Sequence, residues 1–191
     1  MDGPWPMRLG ILAAMCWALH AAWHVLHGTA HDLLWACNVA SPLLALGCFL
    51  RRPVLCATAV MWLAYGVPMW LLDLATGGEL IPTSVFTHFG GLVLGILAVR
   101  RFGWPKRSWR WAALGTWALV VVTRIATTAK HNVNLAFRVH DGWEKHFTSH
   151  ALYLVLMLSG SALVFLVVET AALRLMRQRR DGATISAAWG E

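Results

Sequence analysis

Six apolar stretches, each about 20 residues long, constrain the fold of this chain more than any other feature. They run over about 9–28, 31–50, 54–74, 83–99, 110–130 and 148–173. An α-helix of about 20 residues crosses the roughly 30 Å hydrocarbon core of a bilayer, because it rises about 1.5 Å per residue. The stretches lack the alternating pattern of barrel strands. We therefore predict an all-α polytopic membrane protein, a bundle of six transmembrane helices.

The composition agrees with a membrane location. Of the 191 residues, 58% are hydrophobic and 13% are charged, whereas a soluble domain has about 25% charged residues. We predict a single transmembrane domain over 1–191, ending in a short basic cytoplasmic tail over 174–191. The first stretch is expected to be a retained helix and not a signal peptide, because residues 1–7 carry no lysine or arginine and the stretch ends in histidines.

Basic residues are concentrated on one side of the six stretches. Of the 16 lysines and arginines, 12 lie on that side: Arg8, Arg51, Arg52, Arg100, Arg101, Lys106, Arg107, Arg110, Arg174, Arg177, Arg179 and Arg180. Cytoplasmic loops carry the excess of basic residues, so both termini are predicted in the cytoplasm. The predicted location is the inner (plasma) membrane. Topology and anionic lipid headgroups explain the net charge of +7, so the expected partner is membrane lipid and not nucleic acid. A homo-oligomer and a subunit of a membrane complex both stay open.

Histidines cluster where the first stretch ends and the second begins. The segment "HAAWHVLHGTAHD" contains His20, His24, His27 and His31. Gly28 is expected to end the first helix, and Thr29 with Asp32 resembles a capping box that starts the second. In the predicted orientation all nine histidines fall in the outer half or the middle of the membrane. Ionisable groups within a bilayer usually face a cavity or a partner, so we predict one extracytoplasmic site.

Cys37 is the one cysteine at the level of these histidines. It is followed by Asn38, and a thiol becomes nucleophilic when a base or cation lies nearby. Cys16, Cys48 and Cys56 fall inside the first helix or beside the cytoplasmic "RRP" turn. Thiols stay reduced in the cytoplasm, so the four cysteines do not predict a disulfide framework.

Three short motifs carry a family resemblance. The region from "DLLWACNVASPLLALGCFLRR" through "FTHFGGL" to "KHNVNLAF" resembles the YwaF-like integral membrane proteins. That six-helix family is related to a cysteine-dependent phospholipid acyltransferase of animals. The resemblance covers about residues 31–137, and the matching positions are Cys37 with Asn38, His88, and Asn132 with Asn134. It implies that Cys37 forms an acyl-thioester and that His88 is its base.

The first predicted function is a lipid-directed acyltransferase or hydrolase with its site on the extracytoplasmic side. Cys37 attacks an acyl ester, His88 moves the proton, and an asparagine supports the oxyanion. The expected oxyanion donors are Asn38 and Asn132. The expected substrate-binding residues are Arg124, which would hold a headgroup phosphate, Asn134 and Thr87. The competing interpretation of Arg124 is a snorkelling cation.

The second predicted function is a metal or haem centre. Neutral imidazoles suit Zn, Fe and Cu, and carboxylates complete or orient such a shell. Its role would be redox, oxygenase or hydrolytic chemistry. The candidate ligands are His20, His24, His27, His31, His150 and Asp73. A third interpretation is a structural subunit whose histidines only form hydrogen bonds.

Overall fold

A computed structural model describes the backbone of residues 3–188 and the side chains of residues 3–178. Across this part the protein is all-helical, with six long helices and no strand. They are α1 (Trp5–Leu26), α2 (Ala36–Phe49), α3 (Pro53–Ala75), α4 (Pro82–Phe102), α5 (Ser108–Ala126) and α6 (His150–Ala188). The predicted all-α class is confirmed, and six apolar stretches correspond to six helices.

Four of these helices are long and apolar enough to cross a membrane. They are α1, α3, α4 and the part of α6 over His150–Gln178. Helix α2 is a shorter apolar helix of 14 residues, and α5 has 19 residues with Arg110 and Arg124 near its two ends. Length and composition therefore identify four candidate membrane spans among the described residues.

The start of the second helix differs from its prediction. Residues Ala30–Leu34 form a 3₁₀ turn, and α2 begins only at Ala36. The predicted capping box is wrong, because Thr29 caps no helix through its side chain. Its hydroxyl lies 2.7 Å from Nδ1 of His24 instead. The predicted end of the first helix holds, since α1 stops at Leu26 and Gly28 follows with a φ of +72°.

Helix α3 is the central helix of the bundle. It packs against α2, α4, α5 and α6, and half of its apolar stretch is buried. Glycines allow this close packing. A Cβ on Gly95 of α4 would lie 2.6 Å from Cγ2 of Val60, and one on Gly66 of α3 would lie 2.8 Å from Cβ of Cys37.

Helix α4 contains an irregular turn. Its first residues, Pro82–Val85, and its main part, Gly91–Phe102, are α-helical, whereas Phe86–Gly90 form a π-helical segment. Such segments are rare and frequently occur at functional sites. This one carries His88.

A buried carboxylate joins α5 to α6. Glu169 of α6 is 6% exposed, and it accepts the backbone N–H of Arg107 at 2.6 Å and that of Trp109 at 2.9 Å. These amides lie at the start of α5, where a helix leaves N–H groups unpaired and favours negative charge. Glu169 therefore caps α5 from a neighbouring helix.

The connections over 27–35, 76–81 and 127–149 meet at one end of the bundle, here named the histidine-rich end. Asn134 joins two of them, since its amide contacts Leu34 O at 2.7 Å and the Ala36 N–H at 3.0 Å. At the opposite end, α6 continues to Ala188, so most of the tail predicted over 174–191 is helical. Residues 189–191 of that predicted tail lie outside the described residues.

Candidate functional site

A cavity of about 480 Å³ lies inside the bundle and is lined by residues of all six helices. We name it the central cavity. It extends from the histidine-rich end to Trp62, which lies 13 residues before the end of α3. At 1.5 Å per residue this depth is about 20 Å. A cavity of this volume that extends about 20 Å is long and narrow.

The two ends of the central cavity differ in polarity. Charged side chains line the histidine-rich end: Asp32, Asp73, Glu79, Arg138 and Asp141. Large apolar side chains line the deep end: Trp62, Val120, Met157, Leu158 and Phe165. A lining with one charged end and one apolar end is complementary to an amphiphilic molecule, whose chain is buried while its head contacts polar groups.

Cys37 and His88 both line the central cavity, against the same side of α3. Cys37 packs on Gly66, and the His88 ring stacks on Trp70 with centroids 4.7 Å apart and planes at 12°. Because Gly66 and Trp70 are four residues apart, the thiol and the imidazole contact α3 about one turn apart. The structure brings the predicted nucleophile and base to one wall, without a hydrogen bond between them.

The hydrogen bond of His88 defines which ring nitrogen is basic. Its Nδ1 lies 2.9 Å from the backbone oxygen of Ser84. A carbonyl oxygen only accepts, so Nδ1 carries the proton and a neutral ring has its lone pair on Nε2. His88 is 3% exposed, and its Nε2 has no hydrogen-bond partner among the described residues. The residue thus lines the cavity and keeps one buried nitrogen lone pair without a hydrogen-bond partner.

His20 and His24 also line the central cavity. They are 1% and 2% exposed, and their Nε2 atoms lie 3.2 Å apart. His27 does not join them, since its Nδ1 bonds the Trp23 oxygen at 2.7 Å and its exposed ring stacks on Trp23. Of the three histidines expected at the end of the first helix, His20 and His24 therefore line the cavity and His27 does not.

The two remaining predicted histidine ligands lie outside the cavity lining. The His31 ring lies against His131 with centroids 3.5 Å apart and planes tilted by 31°, and its Nε2 lies 3.6 Å from Asp32. His150 bonds the backbone oxygen of Leu135 at 3.0 Å through Nε2. Both imidazoles hold the connections of the histidine-rich end together.

The predicted metal ligands are dispersed. Of that set, His20, His24 and Asp73 line the cavity. Among the side chains that the structure describes, no group of three or more histidine, cysteine or acidic residues is placed to hold a metal ion. As arranged, these residues do not fit a centre with three or more protein ligands, and a structural or catalytic zinc site uses at least three.

The predicted oxyanion donors are engaged in other hydrogen bonds. Asn38 donates through Nδ2 to the Asp32 oxygen at 2.8 Å, while its buried Oδ1 is unpaired within the described part of the chain. Asn132 accepts two backbone N–H groups through Oδ1 and donates to the Arg138 oxygen at 3.1 Å. Both line the cavity, and each Nδ2 already donates one of its two N–H groups to a backbone oxygen, so the oxyanion role stays a prediction.

The three predicted substrate-binding residues have different surroundings. Asn134 lines the cavity, but Arg124 and Thr87 lie outside its lining. Arg124 donates through Nε to the Ala136 oxygen at 2.6 Å and lies over the ring of Phe137. Thr87 is fully buried and bonds a backbone oxygen of its own helix.

Several lining residues were not anticipated from the sequence. Arg138, paired with Asp141, is the arginine at the charged end. Tyr65, one of two tyrosines in the chain, lines the cavity beside Gly66. Trp70 covers His88. Thr83, which bonds His20 from outside the lining, was not anticipated either. The basic residues in the connection between the last two stretches could have indicated Arg138 as a site residue. Tyr65 and Trp70 lie in an apolar run, where no sequence feature distinguishes them from residues that only pack.

The fold and the cavity define a class: an all-helical protein with four candidate membrane-spanning helices and an internal cavity that has one charged and one apolar end. No family model, curated protein or solved structure matches the chain.

Proposed function

We propose that this protein is a membrane enzyme that transfers or hydrolyses the acyl chain of a lipid, with Cys37 as nucleophile and His88 as base. One observation carries the proposal: Cys37 and His88 line the same cavity, which has a charged end and an apolar end, and the buried Nε2 of His88 has no hydrogen-bond partner among the described residues. The resemblance to YwaF-like membrane proteins, whose matching positions include Cys37 and His88, supports it. Lipid metabolism is thus the proposed setting.

The proposed topology has six membrane crossings with both termini in the cytoplasm. The excess of basic residues on one side supports this orientation. Helix α2 is about 21 Å long at 1.5 Å per residue, and the 3₁₀ turn Ala30–Leu34 lengthens that crossing. The histidine-rich end then faces the extracytoplasmic side of the plasma membrane, and a lipid of the outer leaflet is the proposed substrate.

The proposed reaction has two steps. Cys37 Sγ attacks the acyl carbonyl carbon while His88 Nε2 takes the thiol proton; the C–S bond forms, the ester C–O bond breaks, and His88 returns the proton to the leaving oxygen. Water or an acceptor hydroxyl then attacks the thioester, the C–S bond breaks, and the thiol is restored. Side-chain rotation or one bridging water closes the separation between Cys37 and His88 before the first step.

Labelling with an acyl-mimicking thiol probe tests the assignment of the nucleophile. The protein is incubated in lipid nanodiscs with an alkyne-tagged α-halo fatty acid, and the modified peptide is identified by mass spectrometry. We expect modification at Cys37 and loss of labelling in Cys37→Ser. Cys16→Ser is the matched control, because Cys16 is also half-buried in the bundle but lies outside the cavity lining. Unchanged labelling of Cys37→Ser would contradict the proposal.

A further inference from the structure

Two buried histidines of the central cavity are not used by the proposed acyl chemistry. His20 and His24 lie in a continuous chain of hydrogen bonds. Nδ1 of His20 is 2.9 Å from Thr83 Oγ1, the two Nε2 atoms are 3.2 Å apart, and Nδ1 of His24 is 2.7 Å from Thr29 Oγ1. Both ring nitrogens of each histidine thus have a partner, although the residues are almost completely buried.

The donors and acceptors of this chain have one consistent order. The Thr29 hydroxyl donates to the backbone oxygen of His24 at 3.4 Å, so it accepts the proton of His24 Nδ1. His24 Nε2 then has a lone pair and accepts the proton of His20 Nε2. His20 Nδ1 in turn accepts the hydroxyl proton of Thr83. Both neutral imidazoles therefore donate towards the Thr29 end of this row of hydrogen bonds, His20 through Nε2 and His24 through Nδ1.

The two ends of this chain lie in different surroundings. The inner end is the Thr83 hydroxyl, in the first turn of the helix that carries His88. At the outer end, the Asp32 carboxylate lies 4.0 Å from Nδ1 of His24, and its side chain is 30% exposed. These hydrogen bonds thus connect the start of α4 with an acidic group that is in contact with solvent.

We propose that His20 and His24 are a two-imidazole proton relay between the Thr83 hydroxyl and Asp32, which lines the charged end of the central cavity. A proton that reaches Thr83 Oγ1 lets this hydroxyl pass its own proton to His20 Nδ1. The proton of His20 Nε2 moves to His24 Nε2, and the proton of His24 Nδ1 moves to Thr29 Oγ1. The Thr29 hydroxyl then rotates away from the His24 oxygen and releases its own proton towards the Asp32 carboxylate, which lies 4.0 Å from His24 Nδ1. One proton enters and one leaves, and both rings change tautomer. Passage in the opposite direction restores the starting tautomers.

In ester hydrolysis, the relay carries away the proton that the reaction produces. A carboxylic acid formed near neutral pH releases a proton, which must leave a buried site. This use rests on the proposed function, whereas the relay itself does not. The relay is therefore tested by a measurement that needs no substrate.

A shared metal ion is the competing explanation of the 3.2 Å separation. Two imidazoles on one tetrahedral Zn²⁺, with bonds of about 2.0–2.1 Å, also hold their nitrogens roughly 3.3 Å apart. The hydrogen-bonded chain is favoured because both Nδ1 atoms have hydroxyl partners and no third ligand is in place among the described side chains. A metal ion between the rings is an outcome of the test.

Exchange of the buried imidazole N–H with solvent tests the relay. Protein with ¹⁵N-labelled histidine is transferred to deuterated buffer in nanodiscs, and the loss of the His20 Nε2–H signal is followed by NMR. We expect His24→Gln to slow this exchange at least tenfold, because the solvent route through His24 is broken. Thr29→Val keeps both imidazoles and is expected to slow the exchange severalfold. His27→Gln is the matched control on the same helix and should leave the rate unchanged.

Two results would overturn the relay. One is a His20 exchange rate that is the same in His24→Gln, Thr29→Val and the unmodified protein. The other is one equivalent of tightly bound metal in the purified protein that is lost in both His20→Gln and His24→Gln, together with unprotonated Nε2 atoms in the ¹⁵N spectrum. Neither result depends on acyl turnover, so failure of the relay and failure of the acyl chemistry are distinguishable.

Discussion

Nδ1 of His88 lies 2.9 Å from the backbone oxygen of Ser84, one turn earlier in the same helix. This bond fixes the tautomer that leaves a lone pair on the buried, unpartnered Nε2. His88 lies within the π-helical segment Phe86–Gly90, and its ring stacks on Trp70. A base with a defined orientation is what general-base catalysis requires.

Replacing the base should reduce acyl turnover. We expect His88→Gln to lower the turnover number about 10²–10⁴-fold, which is the usual contribution of a positioned base. The measurement is release of labelled fatty acid, or its transfer, from phospholipid in nanodiscs. His146→Gln changes an exposed histidine outside the cavity lining and should be without effect. Full activity of His88→Gln would exclude His88 as the base.

Filling the deep end of the cavity should change the acyl-chain preference. Leu158 lines the apolar end, so Leu158→Trp is expected to shift the preferred substrate towards shorter chains. Competition between phospholipids of different chain length measures the shift. Leu163→Trp is the control, because Leu163 is 62% exposed on the same helix. If Leu158→Trp and Leu163→Trp show the same chain-length profile, the apolar end does not bind the chain.

The cap that Glu169 places on α5 should contribute measurably to stability. Glu169→Gln removes the charge and leaves one buried backbone N–H without an acceptor, so we expect a loss of about 1–2 kcal/mol. Thermal unfolding in detergent, followed by tryptophan fluorescence, reports the change. Replacing the exposed neighbour Thr170 by alanine should shift stability by less than about 0.5 kcal/mol. An unchanged melting temperature for Glu169→Gln would refute the capping role.

Two glycine substitutions should have opposite effects on stability. An alanine at Gly95 would place its Cβ 2.6 Å from Val60, and such overpacking costs about 1–3 kcal/mol. Gly160 lies in α6 with open space around its Cβ position. Gly160→Ala is therefore expected to be neutral or stabilising by up to about 1 kcal/mol, because alanine favours the helix. Equal melting temperatures for the two variants would contradict the close packing of α4 on α3.

Helix number and the level of the main site residues could be predicted from the sequence. Long apolar runs form helices locally, and counting residues from the helix ends places Cys37 and His88 near the same depth. Both line the central cavity. The position of a residue along a helix follows from counting residues, so it can be predicted without knowing how the helices pack.

Side-chain directions at irregular positions could not be predicted. His27 follows His20 by seven residues, which favours a common face on a continuing helix. However, α1 ends at Leu26, and His27 has non-helical angles of φ −97° and ψ 4°. Its ring therefore does not line the cavity. The direction of Arg124 depends on the loop that folds over it, since its partner is the backbone oxygen of Ala136. The cap formed by Glu169 depends on a contact 60 residues away in sequence.

Detection of an acyl-enzyme on Cys37 tests the central claim most directly. The protein in nanodiscs is incubated with a phospholipid carrying one defined acyl chain, quenched in acid and analysed by intact mass and peptide mapping. We predict a mass increase of one acyl group on Cys37, removed by hydroxylamine, retained in Cys16→Ser and absent in Cys37→Ser. Turnover of the phospholipid without an acyl adduct on Cys37, at full activity in Cys37→Ser, would contradict the account.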